Sequence, residues 1–287
     1  MTVKRPVYDN IFEYLDANYE FKTPETPLTE FYKWDINENQ YANLDGPVAD
    51  ERVEFKSPED AAGTVREFAW AAGADLIGFT AVNDSFVFEG IDITHGYAAV
   101  MAMEMDFHRI ATAPGEPSGI EVLRVYWRLG AVAVKLAEFI RSLGYSARAH
   151  HPRGFTDRPP TILHTKAALD AGLGELGRMG LLITEEYGPR VRLATVTTDL
   201  TLPQSPRKKF GVEKYCENCS LCIKACEGGA IPEEKKEERG SMKYTIDAYR
   251  CLPNFAEYDG CNLCVSECAF NLKKDDLTRF INEVNNL

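Results

Sequence analysis

The sequence predicts an α+β protein in two parts, a layered core of helices and strands followed by a small cysteine-rich module. Three observations carry this. Helical and strand-like periodicities alternate up to Thr198. All eight cysteines fall between Cys216 and Cys268. Beyond Pro203 the apolar periodicity gives way to cysteines, charges and turns. The expected boundaries are an arm over 1–55, a core over 56–203 and a cysteine-rich domain over 204–287.

The arm is rich in Tyr, Asp, Glu, Asn and Pro and reads as an irregular segment wrapping a domain surface. Ser57-Pro58-Glu59-Asp60 opens a helix: a Ser N-cap, Pro at the first helical position and two acids in the first turn, facing the helix dipole. That helix should run to about Ala72 and stop at Gly73. Residues 74–82 and 97–103 follow as short strands of small and apolar residues. The strongest helix spans 119–143, where Val122, Val125, Leu129, Val132, Leu136, Phe139 and Leu143 recur at spacings of three and four and form one buried stripe. Ser118 with Glu121 reads as its capping box and Gly144 as its stop. A Pro-, His- and Arg-containing loop over 150–160 leads to a short helix near 163–171 and a glycine-dense stretch. Residues 181–184 and 190–198 then read as strands, the second rich in β-branched residues.

At 287 residues with 45% apolar and 26% charged content, the chain can bury a sizeable core. Lys+Arg 32 against Asp+Glu 44 leaves a formal charge of −12, which repels phosphate backbones and anionic lipid. No nucleic-acid partner is therefore expected. No apolar run approaches the length of a membrane span, and residues 1–21 hold neither a secretory apolar region nor a twin-arginine pair. A cytoplasmic protein is expected, unless a twin-arginine signal has been cleaved.

The chemistry is concentrated in the cysteines. Cys216-x2-Cys219-x2-Cys222-x3-Cys226 is the spacing by which a short loop wraps three thiolates round one corner of an iron–sulfur cube, while the fourth reaches a second cluster. Cys251-x9-Cys261-x2-Cys264-x3-Cys268 repeats the logic with a long first gap. By the two-cluster rule, Cys216, Cys219, Cys222 and Cys268 hold one [4Fe–4S] cluster, and Cys226, Cys251, Cys261 and Cys264 the other. Two zinc sites are the alternative, but the first run overcrowds a zinc ribbon, whose ligands come as separated CxxC pairs. The proline that usually follows the fourth cysteine is replaced by Glu227 and Ala269. Gly172-Leu173-Gly174-Glu175-Leu176-Gly177 matches the dinucleotide pattern GxGxxG in the wrong order, with a helix before it and a strand after it, so no nicotinamide site is expected. Such a loop can still set bare backbone against a flat ligand. Two clusters at the end of a chain imply electron delivery, and some 200 preceding residues remain to house an acceptor such as a flavin.

The segment 166–202, KAALDAGLGELGRMGLLITEEYGPRVRLATVTTDLTL, with CENCSLCIKACEGGAI, CNLCVSECAFN and the helix end AEFIRSLGYSARAH, resembles the reductive dehalogenases, corrinoid and iron–sulfur enzymes that remove halide from organohalides. The resemblance implies a nitroreductase-like corrinoid-binding core followed by a ferredoxin-like domain with two [4Fe–4S] clusters. It also implies cobalamin or a related corrinoid bound base-off, and an organohalide substrate. An external low-potential donor of the ferredoxin or flavodoxin type would supply the electrons. By the same resemblance, Gly172, Gly174, Gly177, Gly180 and Tyr187 are the candidate corrinoid contacts. Tyr126 is the candidate proton donor, and Arg178 the cation that supports it and the departing halide. The null for Arg178 is an ion pair with Glu175. Tyr145, Trp127, His150 and His151 are weaker pocket candidates. The sequence is also similar to epoxyqueuosine reductase, a tRNA-modifying enzyme, through Asp157-Arg158-Pro159-Pro160, although Glu175 and Arg178 depart from that family. A non-catalytic electron carrier is the third reading.

Overall fold

The computed structural model describes residues 24–88, 90–154, 160–238, 241–258 and 260–285. A four-stranded antiparallel sheet forms the centre, in the order β1 (Leu76–Ala81), β2 (Tyr97–Glu104), β6 (Val191–Thr198), β3 (Ala147–His150). Strand alternation sorts its two faces. Ala99, Met101, Met103, Ala194 and Val196 pack under α2 (Pro58–Ala72) and α4 (Glu116–Ser142). Ala98, Val100 and Ala102 pack on the other face with α5 (His164–Asp170), Phe86 and Ile162. Five of the seven stripe residues of α4 are fully buried, each contributing about 1.5–3 kcal/mol of apolar burial. Of the other two, Phe139 stacks on Phe68 with ring centroids 4.0 Å apart and Leu143 is half-buried.

Local signals set most boundaries. Ser57 Oγ accepts from the Asp60 amide at 3.2 Å, and Gly73 ends α2 in a left-handed conformation at φ 111°. The start of α4 differs from the expected one. Pro117 suits a first turn, so the helix begins at Glu116 with Gly115 as N-cap, and Ser118 and Glu121 fall inside it. Both are buried and bonded elsewhere: Glu121 Oε1 accepts from the Asp106 amide at 2.7 Å and from Arg124 Nη2 at 2.6 Å. The arm read as irregular contains a capped helix, α1 (Pro27–Asp35), seated on α4. Tyr32 stacks on Trp127 at 4.6 Å, and Trp127 Nε1 donates to Asp35 at 2.8 Å. Strand β3 lies just ahead of the expected loop, and Asp157 lies outside the described residues.

Beyond the core, the glycine-dense stretch makes a two-stranded ribbon, β4 (Glu175–Leu176) with β5 (Leu182–Ile183). Short helices α6 (Val212–Asn218), α7 (Leu221–Ala225) and α9 (Leu263–Ser266) then carry or flank most of the cysteines, with α8 (Ala248–Tyr258) bearing Cys251. α10 (Lys274–Asn285) closes over them through Leu277, Ile281 and Val284. Among the described residues no helix is long and apolar enough to cross a membrane.

Candidate metal centre

The eight cysteines stand in two adjoining groups. Cys216, Cys219, Cys222 and Cys268 line one cavity with Met179, Ile183, Leu221, Ala269 and Phe270. Cys268 stands near Cys216, Cys222 and Cys219, whereas Cys251 stands near Cys226 and Cys261. Cys264 stands near Cys251, Cys261, Cys222 and Cys226, which puts the second group beside the first. Burial pushes the thiols up: Cys222 and Cys251 to about 11, Cys264 to about 12, and Cys268 higher still. Thiols this buried do not ionise unaided, and a bound metal is the cation that makes them thiolates. Among the described residues no three His, Cys, Asp or Glu side chains converge tightly enough for a single ion. Thiols spread round an apolar cavity fit the corners of a cluster. The Ala230 amide donates to Cys226 Sγ at 3.3 Å, as the amides around cluster sulfurs do.

The core grips this module with buried arginines. Arg178 is not paired with Glu175 and does not face Tyr126. Its Nε and Nη2 donate to the Cys216 carbonyl at 3.0 and 2.6 Å, its Nη2 to Glu217 O at 3.0 Å and its Nη1 to Glu233 O at 3.1 Å. Tyr244 lies under the guanidinium at 4.5 Å. Glu175 instead accepts from the amides of Phe210 and Val212 at 3.2 and 2.9 Å. Glu175 and Arg178 therefore clamp the amino and carboxyl ends of α6, the helix that bears Cys216, each with the charge its end favours. Arg190, fully buried, bridges from the core to Asn271 Oδ1 at 3.1 Å and Leu272 O at 3.2 Å, with Glu104 at 3.0 Å.

The cation beside Tyr126 is Arg192, at 5.1 Å from the ring centroid. Strand alternation places Arg192 on the same face as Ala194 and Val196, under α4. Arg192 Nη2 donates to Asn262 Oδ1 at 3.3 Å, and Asn262 Nδ2 donates to Ser118 Oγ at 3.0 Å. Asn262 sits between Cys261 and Cys264, in a left-handed conformation at φ 57°. A chain of polar contacts thus joins Tyr126 to the second cysteine group. Sequence reasoning missed Arg192, Asn262 and Ser118 as members of this junction.

The glycines of the 172–180 block pack tightly against neighbouring chain. A Cβ on Gly172 would meet the Pro206 carbonyl oxygen at 2.1 Å, and one on Gly174 the Ile183 carbonyl oxygen at 2.1 Å. At Gly177 it would meet the Ile183 side chain at 2.8 Å, and at Gly180 the Ile246 side chain at 3.2 Å. These glycines serve close packing of chain on chain. Tyr187 stands in the turn before β6, packed on the second core cluster, its carbonyl accepting from Arg190 Nη1 at 3.1 Å. Tyr145 donates to Val53 O at 2.9 Å. His150 and His151 are buried rather than solvated. His150 is bonded to Thr161 at 2.6 Å and Thr197 at 2.9 Å, and His151 to Gln40 at 2.9 Å.

Residues 215–272 match the 4Fe-4S dicluster domain. The tetrachloroethene reductive dehalogenase of Desulfitobacterium hafniense is 38% identical over 186 residues, covering 60% of this chain and 32% of the relative. The epoxyqueuosine reductase of Gloeobacter violaceus is 30% identical over 202 residues, covering 64% and 60%. Among solved structures, the catabolic reductive dehalogenase NpRdhA in complex with 3-bromo-4-hydroxybenzoic acid superposes with a TM-score of 0.87 at 21% identity, over 100% of this chain and 44% of that one. A reductive dehalogenase whose structure suggests a mechanism for B12-dependent dehalogenation gives 0.84 at 22% identity, over 98% and 43%. These structures share the fold, and the chain spans about a third of the length of the dehalogenase relative it matches. In sequence the chain is similar to reductive dehalogenases and to epoxyqueuosine reductase, it shares the fold of the former, and residues 215–272 match a 4Fe-4S dicluster domain.

Proposed function

We propose that the protein is a reductive dehalogenase, an oxidoreductase that converts an organohalide R–X, two electrons and one proton into R–H and halide. In this reading Cys216, Cys219, Cys222 and Cys268 hold one [4Fe–4S] cluster, and Cys226, Cys251, Cys261 and Cys264 the other. The clusters supply one-electron transfer when bound. The observation that carries the reading is the arrangement of the cysteines: two adjoining groups, the second joined through Asn262 and Arg192 to Tyr126.

The chain's own residues then divide the work. The arginines at 178 and 190 fix the cluster module on the core. Tyr126 holds the transferable proton on its phenol oxygen, and Arg192, 5.1 Å from the centroid of its ring, is the candidate cation for the departing halide. The proposed domains are the arm (1–55), a nitroreductase-like core (56–203) and a ferredoxin-like module (204–287). The corrinoid, cobalamin or a related one, is inferred from the relatives. Its proposed contacts are Gly172, Gly174, Gly177, Gly180 and Tyr187, where protein already fills the Cβ direction of each glycine and contact is left to the main chain. An external low-potential donor of the ferredoxin or flavodoxin type is proposed as the electron source.

The test is anaerobic reconstitution with iron, sulfide and cobalamin, followed by assay of chloride release from tetrachloroethene and bromide release from 3-bromo-4-hydroxybenzoate with reduced methyl viologen. Halide release that depends on cobalamin supports the reading. Absence of halide release in a fully iron-loaded, cobalamin-binding protein, with reduction of an epoxyqueuosine-bearing tRNA stem loop, would replace it with the epoxyqueuosine reductase reading.

A further inference from the structure

We propose that Arg178 raises the reduction potential of the cluster held by Cys216, Cys219, Cys222 and Cys268, acting as a fixed positive charge that the core inserts into the wall of that site. The inference rests on the two-cluster reading. Arg178 is only 6% exposed and lines the same cavity as the four thiols. A buried cation is normally matched by a carboxylate, because an unmatched one costs several kcal/mol. Here every hydrogen bond of the guanidinium goes to a main-chain carbonyl, of Cys216, Glu217 or Glu233, and its remaining face is covered by the Tyr244 ring. The nearby acid, Glu175, is turned to the other end of α6, where it accepts from two amides.

The anion that Arg178 lacks is the cluster itself. A four-iron cube with four thiolates carries net negative charge in both of its working states, and one more when reduced. A buried positive charge beside it favours the reduced state, since charge and burial around the sulfurs are what set such potentials. The step biased is the one-electron reduction of the cluster by an external low-potential donor. No bond forms or breaks, and the electron then passes to the second cluster. Holding the first site at a higher potential makes it the ready acceptor at the point of electron entry.

The experiment is an EPR-monitored redox titration of the iron-loaded full chain, comparing the native protein with R178K, R178Q and E175Q. In R178Q one of the two reduction waves should move negative by a tenfold or greater change in its equilibrium constant, about 59 mV for a one-electron couple, while the other stays. R178K should keep most of the native potential, and E175Q should move the same wave in the positive direction. Unmoved waves in a fully loaded R178Q, or an equal shift in R178K, would overturn the proposal. If R178Q does not hold its iron, R178K and E175Q decide: a native wave in the first with a positive shift in the second supports it, and any other pair of results overturns it. Failure of the two-cluster reading would show separately, as native protein that never takes up the iron for two clusters.

Discussion

The core and the cysteine module solve the same problem, the burial of polar groups, in opposite ways. In the core, protein meets protein. Along one face of β6, Thr197 bonds to His95 at 2.8 Å and to His150 at 2.9 Å, and Thr195 bonds to His164 at 2.9 Å. Glu121 is wholly buried against Arg124. In the module the thiols of Cys264 and Cys268 are buried among other thiols, and burial holds both far above the ordinary thiol range. The difference teaches that the histidines of the central sheet find their partners within the polypeptide, whereas the module's thiols call for an inorganic one.

The largest expected effect follows directly. Stripping the metal with a strong chelator under reducing conditions should unfold 212–285 and leave the core sheet intact. Hydrogen exchange should then show lost protection in α6 and α10 with retained protection in β2 and β6. Uniform loss would mean that the arginine clamps make the two regions a single cooperative unit. Next, C264A should lower bound iron by about half and abolish electron transfer to the core, because this thiol belongs to the second group and packs against the core itself. Iron content would be read by colorimetry, and full retention would remove Cys264 from the ligand set.

Y126F sharpens the comparison from the other side. Turnover should fall by at least 100-fold while both clusters remain and stability changes by less than about 1 kcal/mol, since only a hydroxyl is removed from a partly buried ring. An unchanged rate would return Tyr126 to a packing role. The core's histidines predict a pH dependence that the module's cysteines do not. Burial lowers His164 to about 4 and His151 to about 3, and holds His150 well below its ordinary value. The unfolded chain binds protons below about pH 6.5 and the native core does not. Stability contributed by these groups is therefore full above that pH and lost as pH falls towards 4, at about 1.4 kcal/mol per unit for each histidine. Chemical denaturation at pH 7 and pH 5 checks the sign. The smallest effect is G174A, expected to destabilise by about 1–3 kcal/mol through its clash with the Ile183 carbonyl, with iron content unchanged in the folded fraction.

Legibility followed the same division. Cysteine spacing is a local property, and residues as near as Cys216, Cys219 and Cys222 end up round one cavity because two short helices leave little freedom. Helix ends written in local side chains, such as Ser57 and Gly73, were equally readable. What failed depended on distant chain. Glu121 looked like a cap until Asp106 and Arg124 took its carboxylate, and Arg178 looked catalytic until α6 supplied it with carbonyls. Nor does the glycine block show in sequence that its bare faces meet Pro206, Ile183 and Ile246. Strand alternation puts Arg192 on the face of β6 that carries Ala194 and Val196, but its pairing with Tyr126 depends on how the long helix crosses that face.

The central claim is that the two adjoining thiol groups hold two four-iron clusters in electronic contact. Iron and sulfide analysis of the anaerobically reconstituted chain, with EPR spectra of the reduced protein, tests it most directly. About eight iron and eight sulfide per chain, with a spectrum split by interaction between two reduced clusters, is the predicted result. Bound zinc, or about four iron with a single unsplit signal, would contradict it.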